Sequence, residues 1–298
     1  MLTGIHFILS YKCTLECDHC FIYSSPNAKG TFTLNDIKKV LTEAIKIKTV
    51  EWIYFEGGEP FLYYPLMLEG IGMAAELGFN VGVVTNAYFA TTEEDAMLWL
   101  KPLYNLGISD LSISDDLFHN EGIKDNPAKR AYSAAKKLGV PVNSICIEKP
   151  AVKKHKGQDK GSPVIGGSAM FRGRAAEKLT KGLPQKHWDK LIECPYEELK
   201  EPERVHIDPF GNVHLCQGVC MGNIQKTPLS TLIRNYNAEK HPICAPLIEG
   251  GPALLAKKLN VEHDEKYVDE CHFCYNIRLA LINRFPKFLA PRQVYGLE

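Results

Sequence analysis

Short apolar runs at residues 5–10, 50–55, 80–85, 110–114 and 140–147 alternate with longer stretches whose apolar positions follow a helical period. Each run is of strand length and is bounded by turn-forming residues, so each predicts a buried β-strand. Between the first two, Ile37, Val40, Leu41, Ala44 and Ile45 fall on one helical face. The preceding Thr33-Leu34-Asn35-Asp36 has the form of a capping box. Further helices are predicted at 65–77, 92–105 and 126–138, the middle one opening on Glu93, Glu94 and Asp95, whose charge suits a helix N-terminus. Regular alternation of this kind predicts parallel strands joined by right-handed crossovers.

Periodicity does not choose between a barrel and an open, doubly wound sheet. Polar residues and glycines gather where the strands end, at Gly57-Gly58, Thr85-Asn86, and Ser112, Ser114 and Asp115. Chemistry at the C-terminal strand ends is the mark of a TIM-type barrel. A sixth strand is weakly marked and expected within 163–171, after a charged loop at 153–160 that reads as solvated surface. Beyond about residue 186 the rhythm stops. Pro209-Phe210-Gly211-Asn212 between alternating runs predicts a β-hairpin with Cys216 on its second strand, and 227–236, 252–259 and 277–282 read as helical. Residues 284–291, rich in aromatics and proline, are expected to strap a second domain, 186–298, onto a first, 1–185.

A chain of 298 residues can bury roughly three quarters of its unfolded surface. Its 35 basic and 35 acidic residues give no global field favouring nucleic acid or an anionic membrane. No apolar run approaches the ~18 residues of a membrane span, and Met1-Leu2-Thr3-Gly4 lacks the features of a signal segment. A cytoplasmic protein is expected, and its ten cysteines then read as metal ligands rather than disulfides.

The cysteines change the picture most. Cys13-Thr14-Leu15-Glu16-Cys17-Asp18-His19-Cys20 sets three thiols on one loop directly after the first apolar run, and the next cysteine is Cys146. Zinc sites and most cluster sites take four protein ligands. A four-iron cluster held by three thiolates leaves one iron open. The spacing resembles the Cx3Cx2C signature of the radical SAM superfamily, with the aromatic His19 before the third cysteine. Glu56-Gly57-Gly58-Glu59-Pro60, at the end of the second strand, resembles that family's GGEP motif. Physically, paired glycines at a strand end let backbone groups approach a ligand closely.

The resemblance implies a partial (β/α)6 barrel, a [4Fe–4S] cluster on Cys13, Cys17 and Cys20, and S-adenosylmethionine (SAM) on the open iron, cleaved to a 5′-deoxyadenosyl radical. It further implies that His19 lies near the adenine, that Gly57, Gly58, Glu59 and Pro60 surround the methionine amino group, and that Ser112, Ser114 or Asp115 meets the ribose. Arg172 and Arg174, in Phe171-Arg172-Gly173-Arg174-Ala175, have guanidinium groups able to pair a SAM carboxylate through two hydrogen bonds, though two arginines on such a turn also suit a surface.

A second set, Cys194, Cys216, Cys271 and Cys274, resembles the Twitch domain, the shortened form of the SPASM domain, which implies one auxiliary [4Fe–4S] cluster. A zinc ribbon is the competing reading. Cys146 is expected as a buried residue of the fifth strand, and Cys220 as a substitute ligand or a hydrogen donor to a substrate radical, while Cys244 has no assigned place. The expected activity is radical modification of a peptide or protein side chain by oxidation, crosslinking or epimerisation, with flavodoxin or ferredoxin as electron donor. The alternative is a small-molecule dehydrogenase acting on an aminocyclitol or sugar. An iron–sulfur redox sensor or carrier is a third reading, against which Gly57-Gly58-Glu59 counts.

Overall fold

A computed structural model describes residues 1–120, 122, 124–154 and 163–297. The first half alternates β1 (Gly4–Ser10), α1 (Leu34–Ala44), β2 (Trp52–Gly57), α2 (Tyr64–Glu76), β3 (Asn80–Thr85), α3 (Glu93–Asn105), β4 (Asp110–Ser114), α4 (Pro127–Leu138) and β5 (Val142–Ile145). Thr33, Thr92 and Asn126 cap the first, third and fourth helices, each side chain accepting an amide three residues on. Alternate strand residues, among them Ile5, Phe7, Leu9, Ile53, Phe55, Val83 and Leu111, are fully buried against Ile37, Leu41, Ile71, Leu100 and Ala131 of the helices. At about 1.5–3 kcal/mol for each large apolar side chain, this layer is the main source of stability.

After β5 come β6 (Ala151–Lys154), β7 (Pro163–Gly166), α5 (Arg174–Lys178), β8 (Lys186–His187), β9 (Arg204–Ile207), β10 (Asn212–Cys216), β11 (Val219–Asn223), α6 (Leu229–Asn235), α7 (Cys244–Leu259), β12 (Lys266–Tyr267) and α8 (Glu270–Leu281). One sheet of eight strands runs β11-β10-β9-β1-β2-β3-β4-β5. From β9 to β5 the neighbours are parallel, and β10 and β11 add antiparallel strands beyond β9. The fold is α/β, with the parallel sheet of a partial barrel.

Two expectations are corrected here. The sixth strand expected within 163–171 is absent from the sheet, because β7 pairs antiparallel with β6 in a separate two-stranded sheet. A connection of only residues 155–162 is too short for the crossover of a dozen or more residues that a parallel neighbour needs. The sixth parallel strand is β9 instead, next to β1, so the sheet continues past the expected 185/186 boundary. Cys146 is exposed and lies just after β5, an outermost strand whose residues 143–145 are themselves exposed. Most of the charged loop at 153–160 lies outside the described residues.

The predicted hairpin is β9–β10, and one buried carboxylate holds it. Asp208 Oδ1 accepts the amides of Phe210 and Asn212, while Oδ2 accepts Asn212 Nδ2 at 2.9 Å and the Tyr11 hydroxyl at 3.1 Å and lies 3.2 Å from His214 Nε2. Tyr11 directly follows β1, so this network ties the hairpin to the loop that carries the cysteine triplet. A second core packs α7 and α8 around Tyr11, Leu215, Val219, Leu247, Leu255, Phe273 and Ile277. The tail closes over it, with Phe288 O accepting the Cys220 amide and Gln293 Nε2 donating to Tyr23 O.

Replacing Asp208 with Ala strands several buried donors at once. The expected result is a loss of about 3 kcal/mol or more in unfolding free energy, with Asp208→Asn losing less; denaturant midpoints of the variants against wild type measure it.

Candidate functional site

Side chains on the other face of the strands turn inward, and many are polar: His6, Tyr54, Glu56, Asp110, Ser112, Ser114, Asn143, Arg204 and His206. They leave a cavity of about 360 Å³ at the C-terminal strand ends, and Cys13, Cys17 and Cys20 line it together with His19, Gly57, Gly58, Ser114, Asp116, Arg172 and His206. This volume is in the range of small-molecule sites.

The triplet sits on the loop after β1. Cys13 Sγ accepts the Leu15 amide at 3.4 Å and Asn86 Nδ2 at 3.6 Å, and Cys20 Sγ accepts the Ser24 amide at 3.3 Å. Burial pushes the Cys13 thiol up to about 11 and the Cys17 thiol up to about 12, neighbouring thiols adding to the effect. Cys13 is buried and Cys17 and Cys20 are half-buried, and for Cys13 and Cys17 the nearby positive charge of a cluster would favour the thiolate form. Arg174 clamps the loop from behind: Nη1 donates to Cys17 O at 2.8 Å and Nη2 to Ser24 O at 2.9 Å. Its side chain does not line the cavity.

The glycine motif has a structural role that sequence reading misses. A Cβ on Gly58 would stand 2.2 Å from Lys12 O and 2.8 Å from Tyr11 O, and Gly57 has φ +128°. The close approach is therefore to the chain leaving β1, sealed by Gly58 N to Ser10 O at 2.7 Å and Glu59 N to Lys12 O at 2.9 Å. Glu59 is fully buried and is not part of the cavity lining. Its carboxylate accepts Phe61 N, Thr85 Oγ1 at 2.8 Å and Asn86 N at 2.8 Å, joining the ends of β2 and β3. Asn86 in turn reaches Cys13 and Thr14. Burial lifts the Glu59 carboxyl to about 7, against these three donors. Pro60 is buried at the start of the following turn and is not part of the lining.

Of the three residues expected at the ribose, Ser114 lines the cavity. Ser112 Oγ donates to Asp110 Oδ2 at 2.9 Å, and Asp115 Oδ1 accepts Asn126 Nδ2 at 2.8 Å, holding the start of α4. His19 packs against Phe118 and His119, and burial lowers it to about 4, which keeps the ring neutral. Asp116, His119, His6 and His206 also line the site and have no role assigned from the sequence; so do Asn86 and Glu56, which the sequence marks only as a strand-end residue and a motif residue. The available signal was a polar residue at an inward position of a strand, His6 inside the apolar run of β1 above all.

Cys194, Cys216, Cys271 and Cys274 line a second, smaller cavity beside Leu247, Val219, Arg172 and Arg278. Burial pushes Cys194 up to about 12 and raises Cys271 and Cys274. Two buried guanidinium groups face them. Arg172 Nη1 lies 2.9 Å from Glu197 Oε1 and 3.0 Å from Cys216 Sγ, and Arg278 Nη1 donates to Gln217 O at 2.7 Å. Buried cations call for nearby negative charge, which thiolates would provide. A tetrahedral zinc–thiolate site, with bonds of about 2.3 Å, holds its sulfurs about 3.8 Å apart. Among the described residues, the groups of three or more ligand atoms lying within 4.8 Å of one another are His6-Glu56-His206 and His19-Asp116-His119, and neither cysteine set is among them. Cys220 and Cys244 are buried and line neither cavity; Cys220 Sγ donates to Ala290 O at 3.2 Å.

Residues 7–148 match the model of the radical SAM superfamily. YydG of Bacillus subtilis (strain 168), assigned by its name to peptide biosynthesis, is 24% identical over 161 residues, 53% of this chain and 50% of that protein. The tungsten-containing aldehyde ferredoxin oxidoreductase cofactor-modifying protein of Pyrococcus furiosus is 28% identical over 114 residues, 38% of this chain and 30% of that protein. The chain thus matches about half the length of the first relative and under a third of the second. The structure of BtrN in complex with AdoMet and 2-DOIA superposes with a TM-score of 0.53 at 18% identity, over 79% of this chain and 83% of that one, so the two share a fold. Among the described residues no helix is long and apolar enough to cross a membrane.

Gly58→Ala is expected to cost about 1–3 kcal/mol of stability and to displace the Cys13 loop; the denaturant midpoint and the iron taken up on reconstitution read both. Glu59 gives a pH dependence of defined sign. The unfolded carboxyl ionises near 4.5 and the folded one near 7, so the unfolded chain binds fewer protons between them and stability falls as pH rises through that window. Glu59→Gln should flatten the fall, as urea midpoints measured across the window would reveal.

Proposed function

We propose that this radical SAM enzyme, with its superfamily match at residues 7–148, abstracts hydrogen from a side chain of a peptide or protein and so oxidises, crosslinks or epimerises it. The observation that carries the reading is that Cys13, Cys17 and Cys20 line the same cavity as Gly57, Gly58 and the polar inner wall of the barrel. A [4Fe–4S] cluster on the three thiolates, with SAM on its open iron, would supply the reductive cleavage that yields the 5′-deoxyadenosyl radical. A hydrogen atom would pass from a substrate C–H bond to the 5′ carbon of that radical, leaving the unpaired electron on the substrate carbon.

The chain's own residues orient and enclose. Neutral His19, packed at a tilt on Phe118, offers an uncharged aromatic face for the adenine. Gly57 and Gly58 present backbone to the methionine end, and Ser114 is the hydroxyl in reach of a ribose. Arg172 meets the cavity while paired with Glu197. Ile145 and Ile147 line the cavity beside β5, whose free edge gives an extended peptide backbone groups to pair with. That edge, with the partial likeness to YydG, favours a peptide. The polar inner wall at His6, Glu56 and Arg204 favours the second reading, a small polyhydroxylated substrate such as an aminocyclitol.

In this reading Cys194, Cys216, Cys271 and Cys274 hold one auxiliary [4Fe–4S] cluster in a Twitch-like region spanning 186–298, and flavodoxin or ferredoxin supplies electrons. Cys220 is buried and does not line the cavity, a placement that does not support its role as hydrogen donor.

The Cys17→Ala enzyme should form no 5′-deoxyadenosine, and undiminished formation would refute the assignment. Reconstituted wild type should hold about eight irons per chain and Cys271→Ala about four; four irons plus one zinc in the wild type would remove the auxiliary cluster. Deuterium moving from a labelled peptide into 5′-deoxyadenosine identifies the substrate class, whereas transfer from a labelled aminocyclitol alone favours the second reading.

A further inference from the structure

The inner wall carries a second constellation that SAM cleavage does not use. His6 on β1, Glu56 on β2 and His206 on β9 come from three adjacent parallel strands, and His6 and His206 are direct register partners. His206 Nε2 lies 3.0 Å from Glu56 Oε1 and His6 Nδ1 lies 3.3 Å from Glu56 Oε2. One ligand atom from each residue falls within 4.8 Å of the others. All three residues line the cavity that holds the cysteine triplet.

We propose that His6, Glu56 and His206 bind a divalent first-row transition-metal cation, the metal's open positions facing the reaction cavity. Metal bonds of about 2.0–2.1 Å to nitrogen and oxygen place neighbouring donors about 2.9 Å apart in an octahedral shell and about 3.4 Å apart in a tetrahedral one. The separations of 3.0 and 3.3 Å, one to each Glu56 oxygen, fit edges of such a shell with the carboxylate bidentate. Two imidazoles and one carboxylate suit zinc, iron(II) and manganese(II), and the three residues leave room for an exogenous ligand.

His6 Nδ1 is buried without a hydrogen-bond partner, and a Glu56 carboxylate oxygen lies 3.3 Å away. The ring is fixed in this pose by stacking on Tyr54 at 4.6 Å. A buried ring nitrogen without a partner, next to a carboxylate oxygen, is suited to share a cation with it. The cation would present its vacant positions to a carboxylate, carbonyl or hydroxyl of the substrate, fixing it against the inner wall.

This site is independent of the auxiliary-cluster reading, which stands or falls on iron. The test loads reconstituted, cluster-bearing enzyme with zinc from a buffered solution, removes free metal, and measures zinc and iron per chain. Wild type should retain one zinc beyond its iron, and Glu56→Gln and His206→Ala should bind it about 100-fold more weakly with iron and cluster absorbance unchanged. His6→Gln, the mildest change, checks the same loss in a variant with the least disturbance to the strand. Wild type that retains no zinc would mean that the three residues are a hydrogen-bonded triad and would overturn the proposal. Zinc that survives Glu56→Gln but disappears in Cys271→Ala would overturn it too, by moving the metal to the second cysteine set.

Discussion

The close passage of Gly58 beneath the carbonyls of Tyr11 and Lys12 is the contact on which the site depends. With 2.2 Å between a notional Cβ and Lys12 O, no side chain fits there, and the ladder between β1 and β2 continues past the end of both strands. That continuation fixes Lys12, and Cys13 is the next residue. Glu59 extends the same logic sideways, its buried carboxylate drawing Thr85 and Asn86 to the end of β2, from where Asn86 reaches the Cys13 sulfur. The first thiol is thus held by backbone geometry on one side and by a buried hydrogen-bond chain on the other. A carboxylate with three donors in an apolar shell is costly to leave unpaired, which makes the arrangement stiff.

The sheet has two faces with opposite demands. Toward the helices it is uniformly apolar and carries the stability. Toward the inside it is studded with His6, Tyr54, Glu56, Asp110 and His206, where a closed TIM barrel fills the same positions with branched apolar residues. An inner wall of this kind is tolerable only if its groups pair with each other or with a ligand. Asp110 illustrates the first solution, taking Ser112 Oγ at 2.9 Å and Asn143 Nδ2 at 2.7 Å. His6, with Nδ1 buried and unpaired, does not share it.

Local features of the sequence were read well. The expected strands at 80–85 and 110–114 coincide with β3 and β4, and the Thr33 cap and the 204–216 hairpin are present, because each is decided by residues a few positions apart. Long-range pairings were not legible. β9 joins β1 across some two hundred residues through register alone, and nothing in Arg204-Val205-His206-Ile207 names its partner. The same limit hid the convergence of His6, Glu56 and His206, each unremarkable in its own strand. The glycine motif was legible as a close approach, but whether ligand or backbone does the approaching is a tertiary fact.

The turn at 171–175 links the two cysteine sets. Gly173, at φ +60°, lets the chain pass within van der Waals distance of Phe21, which follows Cys20, and a Cβ there would lie 2.5 Å from Phe21 Cα. From this one turn Arg174 grips the carbonyls of Cys17 and Ser24, while Arg172 lies over the Phe21 ring and points to Glu197 and Cys216. Among the described residues Arg172 lines both cavities. A buried guanidinium must be matched by negative charge, and removing one partner of such a pair typically costs about 3–5 kcal/mol. Glu197 supplies that charge to Arg172 at 2.9 Å, and Cys216 Sγ lies 3.0 Å from the same nitrogen, so the turn that secures Cys17 is in direct contact with the second cysteine set.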